Sequence, residues 1–141
     1  MSNSKHQSQP PQAAVDQIIG LYNQGQLEQT VVLAEGLANQ YPDALILYDI
    51  LGAAYIGLGN ADKTIENYEK ALQLNPNHTD AYNNMGMALY DQGRFDEAVY
   101  RYQKAIELIV VMQTRVTKSM QPYCPAYTLK FDVEKLMWEM D

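Results

Sequence analysis

Apolar residues recur at intervals of three and four along the middle of the chain, the spacing that places side chains on one face of a helix. Residues 45–58 carry one such row, made of Tyr48, Leu51, Tyr55 and Leu58. Residues 62–74 carry a second row, made of Ile65, Tyr68, Ala71 and Leu72. Residues 79–92 and 95–108 repeat the scheme. The pattern therefore predicts a chain of helices arranged in pairs.

The helix pairs repeat with a period of about 34 residues, as positions of the same type show. Gly25, Gly59 and Gly93 are separated by this period. The same interval joins Thr30 and Thr64, Tyr48 and Tyr82, Gly52 and Gly86, Tyr68 and Tyr102, Ala71 and Ala105, and Pro42 and Pro76. Gly25, Gly59 and Gly93 predict a turn between the two helices of each pair. Gly52 and Gly86 are expected where one helix presses on its partner.

These positions resemble the tetratricopeptide repeat (TPR) family, whose helix-turn-helix unit has this length and characteristic aromatic, Leu-Gly, Ala and Pro positions. The unit 45–78 fits through Tyr48, Leu51, Gly52, Tyr55, Gly59, Thr64, Tyr68, Ala71 and Pro76. The unit 79–112 fits through Tyr82, Met85, Gly86, Leu89, Gly93, Phe95, Ala98, Tyr102 and Ala105. Residues 11–44 form a degenerate first unit. The resemblance implies an all-α fold, a right-handed superhelix (α-solenoid) of three repeats within residues 12–112.

Both ends of the chain depart from the repeat. Residues 1–11 are polar and contain Pro10-Pro11, which predicts a disordered tail. Val110 stands where the third unit should end in proline. The last repeat helix is therefore predicted to continue from Asp96 for about 24 residues, fraying near Ser119.

Residues 113–141 are predicted to complete this helix and to add a proline-containing loop and a short capping helix, which carries Val133, Leu136, Met137 and Met140. Because the last unit of a solenoid exposes an apolar side, this segment is expected to cover the third unit. The alternatives are that it pairs with a second chain or that it is disordered.

Composition and charge exclude several classes of protein. The chain has 10 Lys+Arg and 17 Asp+Glu, a net charge of -7, which argues against a nucleic-acid binder. The acidic excess lies in residues 13–111, with 13 acidic and 5 basic side chains. No apolar run approaches the ~20 residues of a membrane span, and the N-terminus lacks a signal-peptide pattern. A cytoplasmic location is therefore expected.

No catalytic arrangement stands out. His6 lies in the tail, His78 is predicted to be an exposed loop residue, and neither has a nucleophile beside it in the sequence. Cys124 is the single cysteine, which excludes an intrachain disulfide. No phosphate-binding loop, zinc spacing or EF-hand pattern occurs. We therefore expect no enzymatic activity, no cofactor and no metal site.

The TPR resemblance implies that the first helices of the units line a concave groove that holds an extended peptide. The groove residues it implies are Asp16, Ile19, Tyr22, Asn23, Asp49, Ile50, Ala53, Ile56, Asp80, Asn83, Asn84, Met87, Tyr90 and Asp91. Chaperone-binding members grip a carboxylate with Lys, Arg and Asn at such positions. None of these positions is Lys or Arg here, so a carboxylate clamp is disfavoured.

The expected partner is a protein or peptide with apolar anchors and Lys or Arg between them, whose backbone Asn83 and Asn84 would hydrogen-bond. A solvated acidic face with no ligand is the other interpretation of the four aspartates. Beside a free-standing adaptor, two alternatives stay open. One is a self-assembling scaffold, a homo-oligomer formed through the groove or the tail. The other is the N-terminal module of a larger bacterial transferase.

Overall fold

The computed structural model describes residues 9–120, and the side chains of residues 9–114. The predicted tail is therefore described only from Gln9 onward. The predicted loop and capping helix within 121–141, with Cys124, lie outside the described residues, as does His6. The chain divides into two compact units, Met1–Ile109 and Val110–Asp141, and the repeats lie in the first.

Every regular element within residues 9–120 is an α-helix, as the sequence predicts. The helices are α1 (Gln12–Asn23), α2 (Leu27–Gln40), α3 (Leu45–Gly57), α4 (Ala61–Leu74), α5 (Thr79–Asp91) and α6 (Phe95–Met120). From α1 to α5 each helix packs on the next, and α1 also contacts α3. The contact between α1 and α3 places the first helices of the first two pairs side by side. The predicted α-solenoid of helix pairs is confirmed.

The turns inside the three pairs have the same geometry. Gly25, Gly59 and Gly93 have φ values of +76°, +73° and +76°, a region in which side chains other than glycine's are strained. In the first turn, the Gln26 amide donates to the carbonyl of Leu21 at 3.0 Å, and the other two turns repeat this bond. This is the Schellman arrangement, which satisfies the last carbonyls of a helix. The regular spacing of these glycines thus has a backbone cause.

Two further glycines allow the helices of a pair to approach each other closely. A methyl carbon placed on Gly52 would lie 2.5 Å from Cε2 of Tyr68, and one on Gly86 would lie 2.7 Å from Cε1 of Tyr102. Both distances are well inside van der Waals contact. The aromatic ring of each second helix therefore occupies the space that a side chain on the first helix would need.

The largest fully buried apolar side chains lie on α3 and α5: Leu47, Leu51, Met85 and Leu89. Each contributes roughly 1.5–3 kcal/mol through burial. Thr30 and Thr64 are also fully buried, and each hydroxyl donates to the carbonyl four residues earlier, at 2.8 Å and 3.0 Å. Because the hydroxyls are bonded within their own helices, their burial leaves no polar group unsatisfied.

Helix α6 has 26 residues and does not stop at Val110. Its first part, to Ile109, belongs to the first compact unit, and the remainder belongs to the second. In that second part, the Thr114 hydroxyl donates to the carbonyl of Val111 at 2.9 Å. None of the helices in residues 9–120 is long and apolar enough to cross a membrane, and the cytoplasmic location stays a prediction.

Candidate functional site

The first helices of the three pairs carry acidic side chains and no basic ones. Helices α1, α3 and α5 contain Asp16, Asp49, Asp80 and Asp91, and neither Lys nor Arg. The helices that would face a ligand therefore offer carboxylates but no cationic group. Any charged ligand on these helices meets a negative surface.

The basic side chains of residues 9–114 lie on α4, on α6 or just before α6. They form ion pairs with neighbouring carboxylates at 2.6–3.9 Å, namely Lys63 and Lys70 with Glu66, Arg94 with Glu97, Arg101 with Glu69, and Lys104 with Glu107. Positive charge is thus concentrated on the second helices of the pairs, and it is paired there. The charge of the first helices is not neutralised by these groups.

A small cleft lies between α1 and α3. It has a volume of about 170 Å³ and is lined by Ile19, Tyr22, Asp49, Ile50 and Ala53. All five residues belong to the groove that the TPR resemblance implies. The walls are aliphatic and aromatic, and Asp49 is the only charged residue among those that line the cleft. The surface inside the cleft is apolar, which suits an apolar ligand group.

Asp49 is held by a histidine from the start of α5. Nε2 of His78 lies 2.7 Å from Oδ1 of Asp49, and the exposed fractions of the two side chains are 17% and 29%. His78 lies in the loop before α5, as predicted, but the prediction that it is exposed is wrong, because the ring packs toward α3. Burial raises the pKa of Asp49, the hydrogen bond and charge of His78 oppose that rise, and the charge of Asp80 adds to it.

Asn84 and Tyr68 form a second polar contact beside this site. The amide Nδ2 of Asn84 donates to the hydroxyl of Tyr68 at 2.9 Å. The pKa of Tyr68 is raised to about 12, mainly by burial; the charges of Asp49 and Asp80 contribute to the rise, and the Asn84 hydrogen bond opposes it. One N–H of the Asn84 amide is thus bonded to the buried Tyr68, and a role of Asn84 in ligand binding stays a prediction.

The remaining groove residues do not join the cleft. All of them except Asn84 are solvent-exposed: Asp16, Asn23, Ile56, Asp80, Asn83, Met87, Tyr90 and Asp91. Asp16 accepts a hydrogen bond from Gln12 at 2.8 Å. Tyr90 packs edge-on against Phe95, with ring centroids 5.1 Å apart. Five of the groove residues thus line the cleft between α1 and α3, and the groove residues of α5 are exposed polar and apolar side chains apart from Asn84. A second cleft, of about 360 Å³, lies outside the groove on α2 and is lined by Glu28, Gln29, Val32 and Leu33.

The repeated helix pairs, the glycine turns and the adjacent first helices define an α-solenoid repeat protein. A family model for the tetratricopeptide repeat matches residues 34–109, more than half of the chain. The chain belongs to the tetratricopeptide repeat family. None of the curated protein sequences matches the chain.

Solved TPR structures share this fold. The crystal structure of MamA superposes with a TM-score of 0.71 at 25% identity, over 73% of this chain and 60% of that one. The second TPR of Spaghetti (RPAP3), bound to the HSP90 peptide SRMEEVD, gives 0.65 at 17% identity, over 68% of this chain and 89% of that one. The Sgt2 TPR domain from Aspergillus fumigatus gives 0.66 at 21% identity, over 72% and 70%. This chain thus spans less than two thirds of the MamA chain.

Proposed function

We propose that this protein is a non-catalytic interaction module that binds a peptide segment of a partner protein along α1, α3 and α5. The observation that carries the proposal is the cleft between α1 and α3, whose walls are apolar and whose lining residues include Asp49. Side chains that continue the surface on α5, such as Met87 at 45% exposure, offer further apolar contact. Apolar contacts of this kind supply most of the affinity in peptide grooves.

The charge of the groove favours a partner segment that contains Lys or Arg. The RPAP3 domain with the same fold was solved with the peptide SRMEEVD, in which three of the last four residues are acidic. The present groove helices contain no Lys or Arg that could pair with such a peptide. Charge complementarity fixes which partners are rejected as much as which are accepted. An acidic peptide is therefore the partner that this surface rejects.

Selection of random peptides on the immobilised full chain tests the proposal. The expected result is enrichment of peptides that combine apolar and basic residues. Their binding, measured by calorimetry, should be lost in Met87→Arg and Ile56→Arg, which change exposed groove positions. Val32→Arg on α2 is the matched control, because Val32 is 68% exposed and lies outside the groove. Enrichment of acidic peptides, or loss of binding only in the Val32 variant, would contradict the proposal.

Self-assembly is a second candidate function, favoured by an exposed apolar row on α6. The row contains Phe95, Val99 and Ile106, which are 55%, 52% and 53% exposed. On α4, Ile65 and Leu72 stand one repeat before Val99 and Ile106 and pack around Tyr68 together with Ala81 and Met85 of α5. The α6 row is thus the counterpart of a face that a following helix covers. In this second candidate function, a second copy of the chain covers the α6 row.

Light scattering over a range of protein concentrations tests this second candidate. Self-assembly predicts a mass that rises with concentration for the parent chain and stays at the monomer value for Val99→Glu. Val32→Glu makes the same change at an exposed position of α2 and serves as the control. Its mass should rise with concentration as that of the parent chain does. A parent chain that remains monomeric throughout would eliminate the scaffold.

A further inference from the structure

The cleft between α1 and α3 differs from the rest of the groove because apolar side chains of two helices enclose a small volume beside Asp49. The side chains of Ile19, Ile50 and Ala53 supply aliphatic walls, and Tyr22 supplies an aromatic ring. Asp49 lines the cleft through its carbon atoms, because the surface inside the cleft is entirely apolar; its carboxylate lies outside that surface, and 29% of the side chain is exposed. A Lys or Arg side chain matches this arrangement, since its methylene stem packs on apolar surface while its charged end reaches a carboxylate.

The hydrogen bonding of Asp49 leaves one oxygen for a ligand. His78 occupies Oδ1 at 2.7 Å, and no side chain of residues 9–114 is hydrogen-bonded to Oδ2. A carboxylate can accept several hydrogen bonds, so the second oxygen retains its capacity to bind a cationic donor. The hydrogen bond also fixes the orientation of the carboxylate, because it joins Asp49 on α3 to His78, the residue immediately before α5. His78 thus has the geometry of a positioning residue.

Electrostatics around the cleft favour a cation. Asp80 lies close enough to influence the titration of both Asp49 and Tyr68. His78 and Asp80 are the charged groups that act on Asp49: the charge of His78 lowers its pKa and the charge of Asp80 raises it. A cation bound at the second carboxylate oxygen would be attracted by both carboxylates.

We propose that this cleft is a specificity subsite that accepts one basic side chain of the bound peptide, and that His78 positions Asp49 to bind it. The proposal rests on the peptide-binding function proposed above and adds to it the chemical class of one ligand position. The exposed residues of α5 would then contact the apolar residues of the same peptide. Selectivity for a basic residue would reside at Asp49, separate from the apolar surface that supplies affinity.

The test uses the selected peptides and a matched pair of probes. The basic residue that the selected peptides share is replaced by norleucine, which keeps the length of a lysine stem and removes its charge. Asp49→Asn should reduce the affinity for the basic peptide by about tenfold and leave the affinity for the norleucine peptide unchanged. Asp43→Asn removes the same charge at an exposed position between α2 and α3, outside the groove residues, and should leave both affinities unchanged. Circular dichroism during thermal unfolding verifies that the variants fold.

Two variants of His78 test its positioning role. His78→Ala should weaken binding of the basic peptide by about threefold and leave the norleucine peptide unaffected, which a general structural defect would not do. His78→Gln keeps an N–H donor and should restore part of the loss. Equal losses for both peptides would overturn the positioning role.

The failures of the two proposals can be told apart. Selected peptides that bind the groove but share no basic position would overturn the subsite and leave the peptide-binding function standing. The same conclusion follows if Asp49→Asn changes nothing in the basic peptide's affinity. If no selected peptide is sensitive to the groove variants Met87→Arg and Ile56→Arg, the peptide-binding function fails and the subsite fails with it.

Discussion

Replacing Gly52 with alanine should destabilise the protein, although alanine is the better helix former. The added methyl would lie 2.5 Å, 2.6 Å and 2.9 Å from three carbons of the Tyr68 ring. The ring would have to move by about 1 Å to restore ordinary contact distances. Tyr68 is 2% exposed and packs on Ala81 and Met85, and Asn84 bonds its hydroxyl. The ring therefore has little room to move.

The expected size of the effect follows from two opposing contributions. Overpacking a tightly packed core costs typically about 1–3 kcal/mol. Replacing glycine by alanine within a helix gains about 1 kcal/mol. Because the Tyr68 ring is constrained on several sides, we expect the overpacking cost to lie in the upper half of its range. The free energy of unfolding should fall by about 1–2 kcal/mol in Gly52→Ala.

Gly36→Ala is the matched control for this prediction. Gly36 also lies within a helix, α2, but a methyl there would have no atom within 4 Å. Only the gain in helix propensity remains, so this variant should be more stable than the parent by about 0.5–1 kcal/mol. Urea unfolding followed by circular dichroism measures both changes. If Gly52→Ala is stabilised as much as Gly36→Ala, the close approach of α3 and α4 is not as described.

Three further predictions concern helix capping and buried tyrosine. Asn60→Ala should lower the free energy of unfolding by about 1 kcal/mol, because Asn60 Oδ1 accepts from the Lys63 amide at the start of α4; an unchanged urea midpoint would argue against this cap. Gln26→Asn, at the equivalent uncapped position of α2, should raise it by about 0.5–1 kcal/mol in the same assay, and a lower midpoint would contradict that. Stability should fall as pH rises from about 10 toward 12, because the unfolded tyrosine releases its proton near pH 10 whereas burial raises the pKa of Tyr68 to about 12. Urea midpoints measured between these pH values should fall less steeply in Tyr68→Phe, and equal slopes would exclude Tyr68 as a source of the effect.

The repeat architecture could be predicted from sequence because it depends on local rules that recur. Glycine at a fixed interval marks a positive-φ turn, and apolar spacing marks the buried face of each helix. The contact of Gly52 with Tyr68 could also be predicted from the sequence, because a glycine and a tyrosine recur one repeat later as Gly86 and Tyr102. Burial of the tyrosines is less uniform. Tyr68 is buried but Tyr102 is only half-buried.

The polar contacts at the candidate site could not be predicted in the same way. The bond from His78 to Asp49 joins residues 29 positions apart on different helices, and side-chain orientations of this kind leave no periodic signal. One indication was present, since Ala44, which precedes His78 by one repeat, is apolar and fully buried. That position points inward in both units. The bond from Asn84 to Tyr68 has the same non-local character.

Amide chemical-shift mapping is the most direct test of the claim that α1, α3 and α5 bind a basic peptide. Isotope-labelled full chain would be titrated with a selected peptide that contains Lys or Arg. If the peptide binds along these helices, the largest shifts should occur around the cleft, at Ile19, Tyr22, Asp49 and Ala53, with further shifts on α5. Shifts concentrated instead around Val32 on α2, with the cleft residues unchanged, would contradict it.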